Sequence, residues 1–254
     1  MNASRNEDHP GQARVWRAAR VWRARIKAEA YEKVLASPLM HACAQGGTSP
    51  RALLGGFWHF VDTFPAIIRD TYENVPSAAA NDKVRRFLKR SAPILSGSLK
   101  PMVDDERAHR ALWIRASRRV GLSEIQLHQW KILPEIKSLT EAIRTEGDLA
   151  RRLLYFAAVE IVAEGISRYL SQQPPFVEAM GEDGMEWFKV HLVHPDDAAT
   201  HEALAYNLAL SVKRVAHEPA DWKFVNADIQ RCVDWFFAGG VACAREFARA
   251  ARGT

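Results

Sequence analysis

Cysteine is scarce in this chain. Only Cys43, Cys232 and Cys243 occur among 254 residues. Their number is odd, their spacing is wide and no C-x-x-C pair exists, so neither a disulfide framework nor a thiolate zinc site is expected. Long apolar runs are missing too. No window approaches the roughly 18 uninterrupted apolar residues of a membrane span. The N-terminus has no continuous apolar stretch of the signal-peptide kind. A reduced, cytoplasmic protein without stable membrane insertion is the expectation. Val, Ile and Thr runs of period two are rare, so no strands are expected. A basic body is lacking as well. The formal charge is +5, but most of the excess lies before residue 30, where Arg5, Arg14, Arg17, Arg20, Arg23, Arg25 and Lys27 stand against Glu7, Asp8 and Glu29. The rest is nearly balanced, which argues against a nucleic-acid partner.

What the chain does contain is apolar material and helix punctuation. Hydrophobic residues make up 48%, enough for a sizeable core. Residues 1–12 are polar and aperiodic and read as disordered; residues 13–254 read as one all-α domain. Helices are expected over 13–36, 50–74, a stretch opening at Asn81 or Asp82 and interrupted near Gly97 and Pro101, then 103–120, 123–133, 135–145, 148–172, 176–194, 195–215 and 226–252. Ser49-Pro50 suits an N-cap followed by a first-turn proline. A tandem repeat, Ala13-Arg14-Val15-Trp16-Arg17-Ala18 and Ala19-Arg20-Val21-Trp22-Arg23-Ala24, is basic and helix-prone. It reads as a helix extension with solvated arginines and tryptophans packed on the body. A membrane-surface or acidic-partner helix is the alternative.

The chemistry concentrates in three places. Between His191 and His201 lie three histidines (His191, His194, His201) and two aspartates (Asp196, Asp197) around Pro195. Proline cannot continue a helix without losing a backbone bond, so His194 ends one helix and Pro195 starts the next. Asp197 and His201, four apart, then share a face. Upstream, Glu106 and His109 are three apart and also share a face. A lone E-x-x-H is a weak motif, since a surface Glu beside a half-buried His looks the same. Finally, Glu160 and Glu164 interrupt the apolar stretch from Leu153 to Ile166. A carboxylate on a buried helix is costly unless a cation or metal meets it. Glu164 is the favoured ligand, and pairing with Arg168 or Arg152 is the alternative. Imidazoles and carboxylates on facing helices are what a non-haem iron site needs.

These residues, taken in order, resemble the haem-oxygenase-like di-iron oxidases, which share a fold with the thiaminase TenA and the pyrroloquinoline-quinone synthase. Within that group the likeness is to the alkene-forming fatty-acid decarboxylases. Four segments carry it: Gly55-Gly56-Phe57-Trp58-His59-Phe60-Val61-Asp62-Thr63-Phe64; Glu106-Arg107-Ala108-His109 with Leu112-Trp113; Ala163-Glu164-Gly165; and Trp187 to His191 continuing through Asp196-Asp197-Ala198 to Glu202-Ala203-Leu204. Two departures stand out. Asp62 takes the place of a glutamate, with Glu73 as a rival. The family's last motif is H-x-x-x-D-x-x-H, whereas His191 precedes Asp196 by one residue too many and His194-x-x-Asp197-x-x-x-His201 shifts the aspartate. The reading adopted is His191, Asp197 and His201, with His194 as the substitute.

The resemblance implies a single compact haem-oxygenase-like bundle of about seven core helices. It also implies two Fe(II) per chain held by Asp62, Glu106, His109, Glu164, His191 or His194, Asp197 and His201. O2 would be the co-substrate. The implied outcome is oxidative C–C cleavage, decarboxylation or N-oxygenation of a small carboxylate or amino-acid-derived molecule. The thiaminase's core cysteine has no counterpart in the Glu164 helix or near the histidine cluster. Residues 13–36 hold no histidine to serve as a proximal haem ligand, and the quinone synthase works without the metal that these carboxylates suit. Two other readings stand beside this one: a metal-free member of the fold that binds or hydrolyses a small molecule, and an interaction protein using the basic tryptophan repeat. A homodimer is compatible with either enzyme reading.

Overall fold

The computed structural model describes residues 10–73, 82–192, 200–216 and 222–252. Among them every regular element is helical and no strand occurs. The order is α1 (Pro10–Leu35), α2 (Pro38–Ala44), α3 (Pro50–Gly56), α4 (Trp58–Glu73), α5 (Asp82–Arg119), α6 (Glu124–His128), α7 (Pro134–Thr145), α8 (Leu149–Leu170), α9 (Pro174–Val190), α10 (His201–Ala216) and α11 (Trp222–Ala251). No helix of the described residues is long and apolar enough to cross a membrane.

The all-α expectation holds, while several boundaries move for local reasons. The N-terminal helix begins at Pro10, so residues 10–12 are helical rather than disordered. The unforeseen α2 is seven residues long, started by Ser37, whose side chain accepts from the Met40 amide at 3.4 Å, with Pro38 in the first turn. The single helix expected over 50–74 breaks at Phe57 into α3 and α4. Its two glycines permit close approach: a Cβ on Gly55 would lie 2.5 Å from the Trp130 ring, and one on Gly56 2.3 Å from Cys243 Sγ. The interruption expected near Gly97 and Pro101 does not occur, since α5 runs through both. An interior proline costs about 3 kcal/mol. Burial of the neighbouring Leu99, Met102 and Val103 offsets this, at about 1.5–3 kcal/mol per large apolar side chain. The helix expected over 123–133 stops at His128, begun by a Ser123–Gln126 capping box.

The two helices expected to meet at Pro195 are also revised. The first, α9, kinks at Gly181, whose φ of 60° lies in the left-handed region, and it ends at Val190 with His191 as its cap. The second is described only from His201. Residues 193–199, and with them His194, Pro195, Asp196 and Asp197, lie outside the described residues.

Helix α8 is the axis of the bundle. It carries Leu153, Leu154, Tyr155, Phe156, Ala157 and Ala158 in succession, all buried. A helix apolar on every side must be surrounded, and α8 packs against α1, α9, α10 and α11. The buried apolar residues form one contiguous cluster. All three cysteines are free and buried, and burial pushes the Cys43 and Cys243 thiols up to about 12. They are inert packing groups.

Candidate metal centre

A polar cluster within this core lies where α5, α8, α9 and α10 converge. About one turn of α5 presents Asp105, Glu106 and His109; α8 presents Glu160 and Glu164; His191 caps α9; His201 and Glu202 open α10. Together with Lys27 of α1, most of these groups line a cavity of about 180 Å³. The larger cavity of about 610 Å³, bordered by Arg51, Trp130, Cys243 and Phe247, holds none of them.

The ligand atoms of Glu106, Glu160 and His201 all lie within 4.8 Å of one another. His201 Nδ1 is 3.6 Å from a Glu106 oxygen and 3.7 Å from a Glu160 oxygen, while its Nε2 contacts Asp105 at 3.0 Å. His109 Nδ1 approaches Glu106 at 3.4 Å, yet that buried nitrogen makes no well-directed hydrogen bond. The His109 ring is 4.7 Å from His191 and 6.1 Å from His201. His191 donates from Nδ1 to the Trp187 carbonyl at 2.7 Å. A carbonyl only accepts, so the proton is on Nδ1, and Nε2 keeps its lone pair for a ligand.

Electrostatics follow from this crowding. Burial pushes the Glu160 carboxyl up, and the Glu106 charge adds to it. Burial acts on Glu106 in the same sense, but the contacts from His109 and His201 outweigh it and hold that carboxyl below the usual range. Burial opposes charge on His109 and His201, yet Glu106 and Glu160 raise both. His191 is held down to about 4, first by burial and then by the His109 charge. Two imidazoles thus stand against two buried carboxylates, the place a cation would fill. Paired carboxylates, an imidazole with a free lone pair and an under-satisfied buried nitrogen are a donor set that fits a divalent first-row metal.

The expected ligands divide into three groups. Glu106, His109, His191 and His201 come together. Glu164 lines the cavity but is held by cations: Lys27 Nζ is 2.8 Å away and Arg168 bonds the other oxygen. Asp62 is outside the cluster, since its carboxylate accepts from Arg110 Nε at 2.7 Å, a charge-assisted bond that satisfies it. Its rival Glu73 is half-exposed and 3.9 Å from Arg69. His194 and Asp197 lie outside the described residues. Sequence reasoning weighed Glu160 but preferred Glu164; the two are one turn apart, and spacing alone does not say which faces α5 and α10. It missed Glu202, whose side chain is only 4% exposed and which Arg23 grips with two bonds of 2.7 and 2.6 Å. The repeat's Arg23 is thus no solvated arginine.

No family model and no curated protein sequence matches the chain. Among solved structures, the fold is similar to the crystal structure of a TenA homolog from Pseudomonas syringae pv. tomato. The two are 15% identical over 88% of this chain and 91% of that one, with a TM-score of 0.65. The likeness is one of fold: the chain is built as an all-α bundle of the TenA kind.

Proposed function

We propose that this protein is an iron-dependent oxidoreductase that uses O2 to oxidise a small carboxylate or amino-acid-derived molecule by C–C cleavage, decarboxylation or N-oxygenation. The observation that carries the reading is the convergence of Glu106, Glu160 and His201, with His109 and His191 beside them, on one small cavity. Iron held there would supply Lewis acidity and the electrons that O2 needs. Glu106 and Glu160 would offset its charge, and His109, His191 and His201 would hold it. Trp187 fixes the His191 tautomer through its carbonyl and packs its ring against the imidazole at 4.1 Å. The cavity lies below the roughly 300 Å³ of an ordinary drug-sized pocket, which favours a short substrate. Two Fe(II) per chain are the proposed stoichiometry, with Glu164 and Asp197 completing the set and His194 as the substitute for His191.

A metal-free binding or hydrolytic protein of the same fold is the second reading. It is favoured by the same contacts, because His109 and His201 already pair with Glu106 and Glu160. Anaerobic reconstitution with Fe(II) separates the two. Wild type should take up iron, whereas Glu106→Ala, His109→Ala and Glu160→Gln should take up none while keeping a helical circular-dichroism spectrum. Iron uptake unchanged in all three variants would remove the metal reading. Zinc- or manganese-loaded protein should consume no O2; turnover equal to that with iron would rule out redox chemistry at the metal.

A further inference from the structure

The larger cavity of about 610 Å³ has no part in the chemistry proposed above. It shares no lining residue with the metal cavity. Helix α5 rises about 15 Å from His109 to its end at Arg119, and the cleft begins beyond that end, at Leu122. Its walls come from α3, the turn after α6 and the last turns of α11. Leu122, Trp130, Leu133 and Phe247 make them apolar. Two glycines make the room. Gly55 lets the Trp130 indole lie against α3, where a Cβ would come within 2.5 Å of the ring, and Gly56 does the same for Cys243 Sγ. That thiol, pushed up to about 12 by burial, leaves the floor uncharged. The volume falls within the roughly 300–1,000 Å³ of small-molecule sites.

We infer that this cleft is a second binding site, for a flat aromatic carboxylate whose ring packs on Trp130 and Phe247 and whose charge meets Arg51. Charge complementarity carries the choice. Arg51 borders the cleft, is half-buried and has no carboxylate partner among the described residues. The other charges nearby are largely spent on one another. Lys131 and Arg249 share one oxygen of Glu246, at 3.1 and 2.8 Å, and Glu135 is close enough to act on Cys243. Three cations thus face two carboxylates, and Arg51 is the one without a bond. A guanidinium takes a carboxylate through two parallel hydrogen bonds, and an indole offers an aromatic ligand a packing surface. A cationic ligand would meet like charge, and a bare inorganic anion would leave the apolar walls unused.

Calorimetric titration of the full chain with β-naphthoate and its neutral isostere β-naphthamide tests this. Wild type should bind the carboxylate about tenfold more tightly than the amide, the worth of one charge-assisted hydrogen bond. Arg51→Gln should remove that preference and leave amide binding unchanged. Ala250→Phe fills the cleft from the exposed end of α11 and should lose both ligands. Arg115→Gln, exposed on α5 and outside the cleft lining, should match wild type, which separates Arg51 from a general effect of net charge. No binding by wild type, equal affinity for the two probes, a preference kept in Arg51→Gln, or full binding kept in Ala250→Phe would overturn the site. So would a wild-type dimer in analytical ultracentrifugation that Ala250→Phe breaks, since a second copy would then cover the cleft. The titrations need no metal, so their failure leaves the iron reading untouched.

Discussion

His191 shows how one side chain can be committed by its surroundings. Its Nδ1 proton goes to the Trp187 carbonyl, and burial holds its pKa down to about 4 from an ordinary 6.5. The folded metal-free protein keeps it neutral where the unfolded chain would take up a proton. Between those two values the unfolded state binds more protons, so stability falls as pH drops through the window. Its contribution is flat above 6.5. His201 works in the opposite sense. Its pKa is raised in the folded state, so its contribution is complete below 6.5 and is lost as pH rises through the folded value. Urea unfolding of metal-free protein at several pH values should therefore show His191→Gln losing less stability than wild type between pH 6.5 and 4. An identical slope in both proteins would mean that His191 is solvated.

At the scale of elements, the basic first helix acts inward at its described end. Arg23 and Lys27, one turn apart, reach from α1 to carboxylates on α8 and α10. A charge-assisted pair of this kind contributes about 1.5–3 kcal/mol, and Arg23→Ala leaves Lys27 as the cation paired with the buried Glu202. The variant should lose about 2 kcal/mol in urea unfolding. A loss under 0.5 kcal/mol, the range of ordinary surface changes, would show that α1 docks without this pair. Helices α3 and α4 teach a different lesson. Gly55 and Gly56 close α3, and the groups that need their missing side chains, Trp130 and Cys243, are distant in sequence.

Over the whole molecule, the site ties together helices that short-range structure leaves separate. The Glu106 helix, the Glu160 helix, the end of α9 and the start of α10 pack against one another and all contribute to the cluster, so a metal bound there would link all four. Ligand binding to the folded state opposes local opening. Hydrogen exchange should slow at residues 187–192 and 200–205 when Fe(II) is added, with α7 unchanged. Equal protection with and without iron would mean that these segments are held by packing alone. The all-α class, the extents of α7 and α8, and the pairing of Glu106 with His109 were legible in the sequence. They depend on local terms: apolar periodicity, capping residues and the three-residue spacing that puts two side chains on one face. The choice of Glu160 over Glu164, the capture of Asp62 by Arg110, and the inward turn of Arg23 and Lys27 were not. Residues one helical turn apart look alike to any local rule, and a charge finds its partner only when distant helices pack. Which carboxylates stay open to a metal and which are already paired was decided by tertiary structure alone.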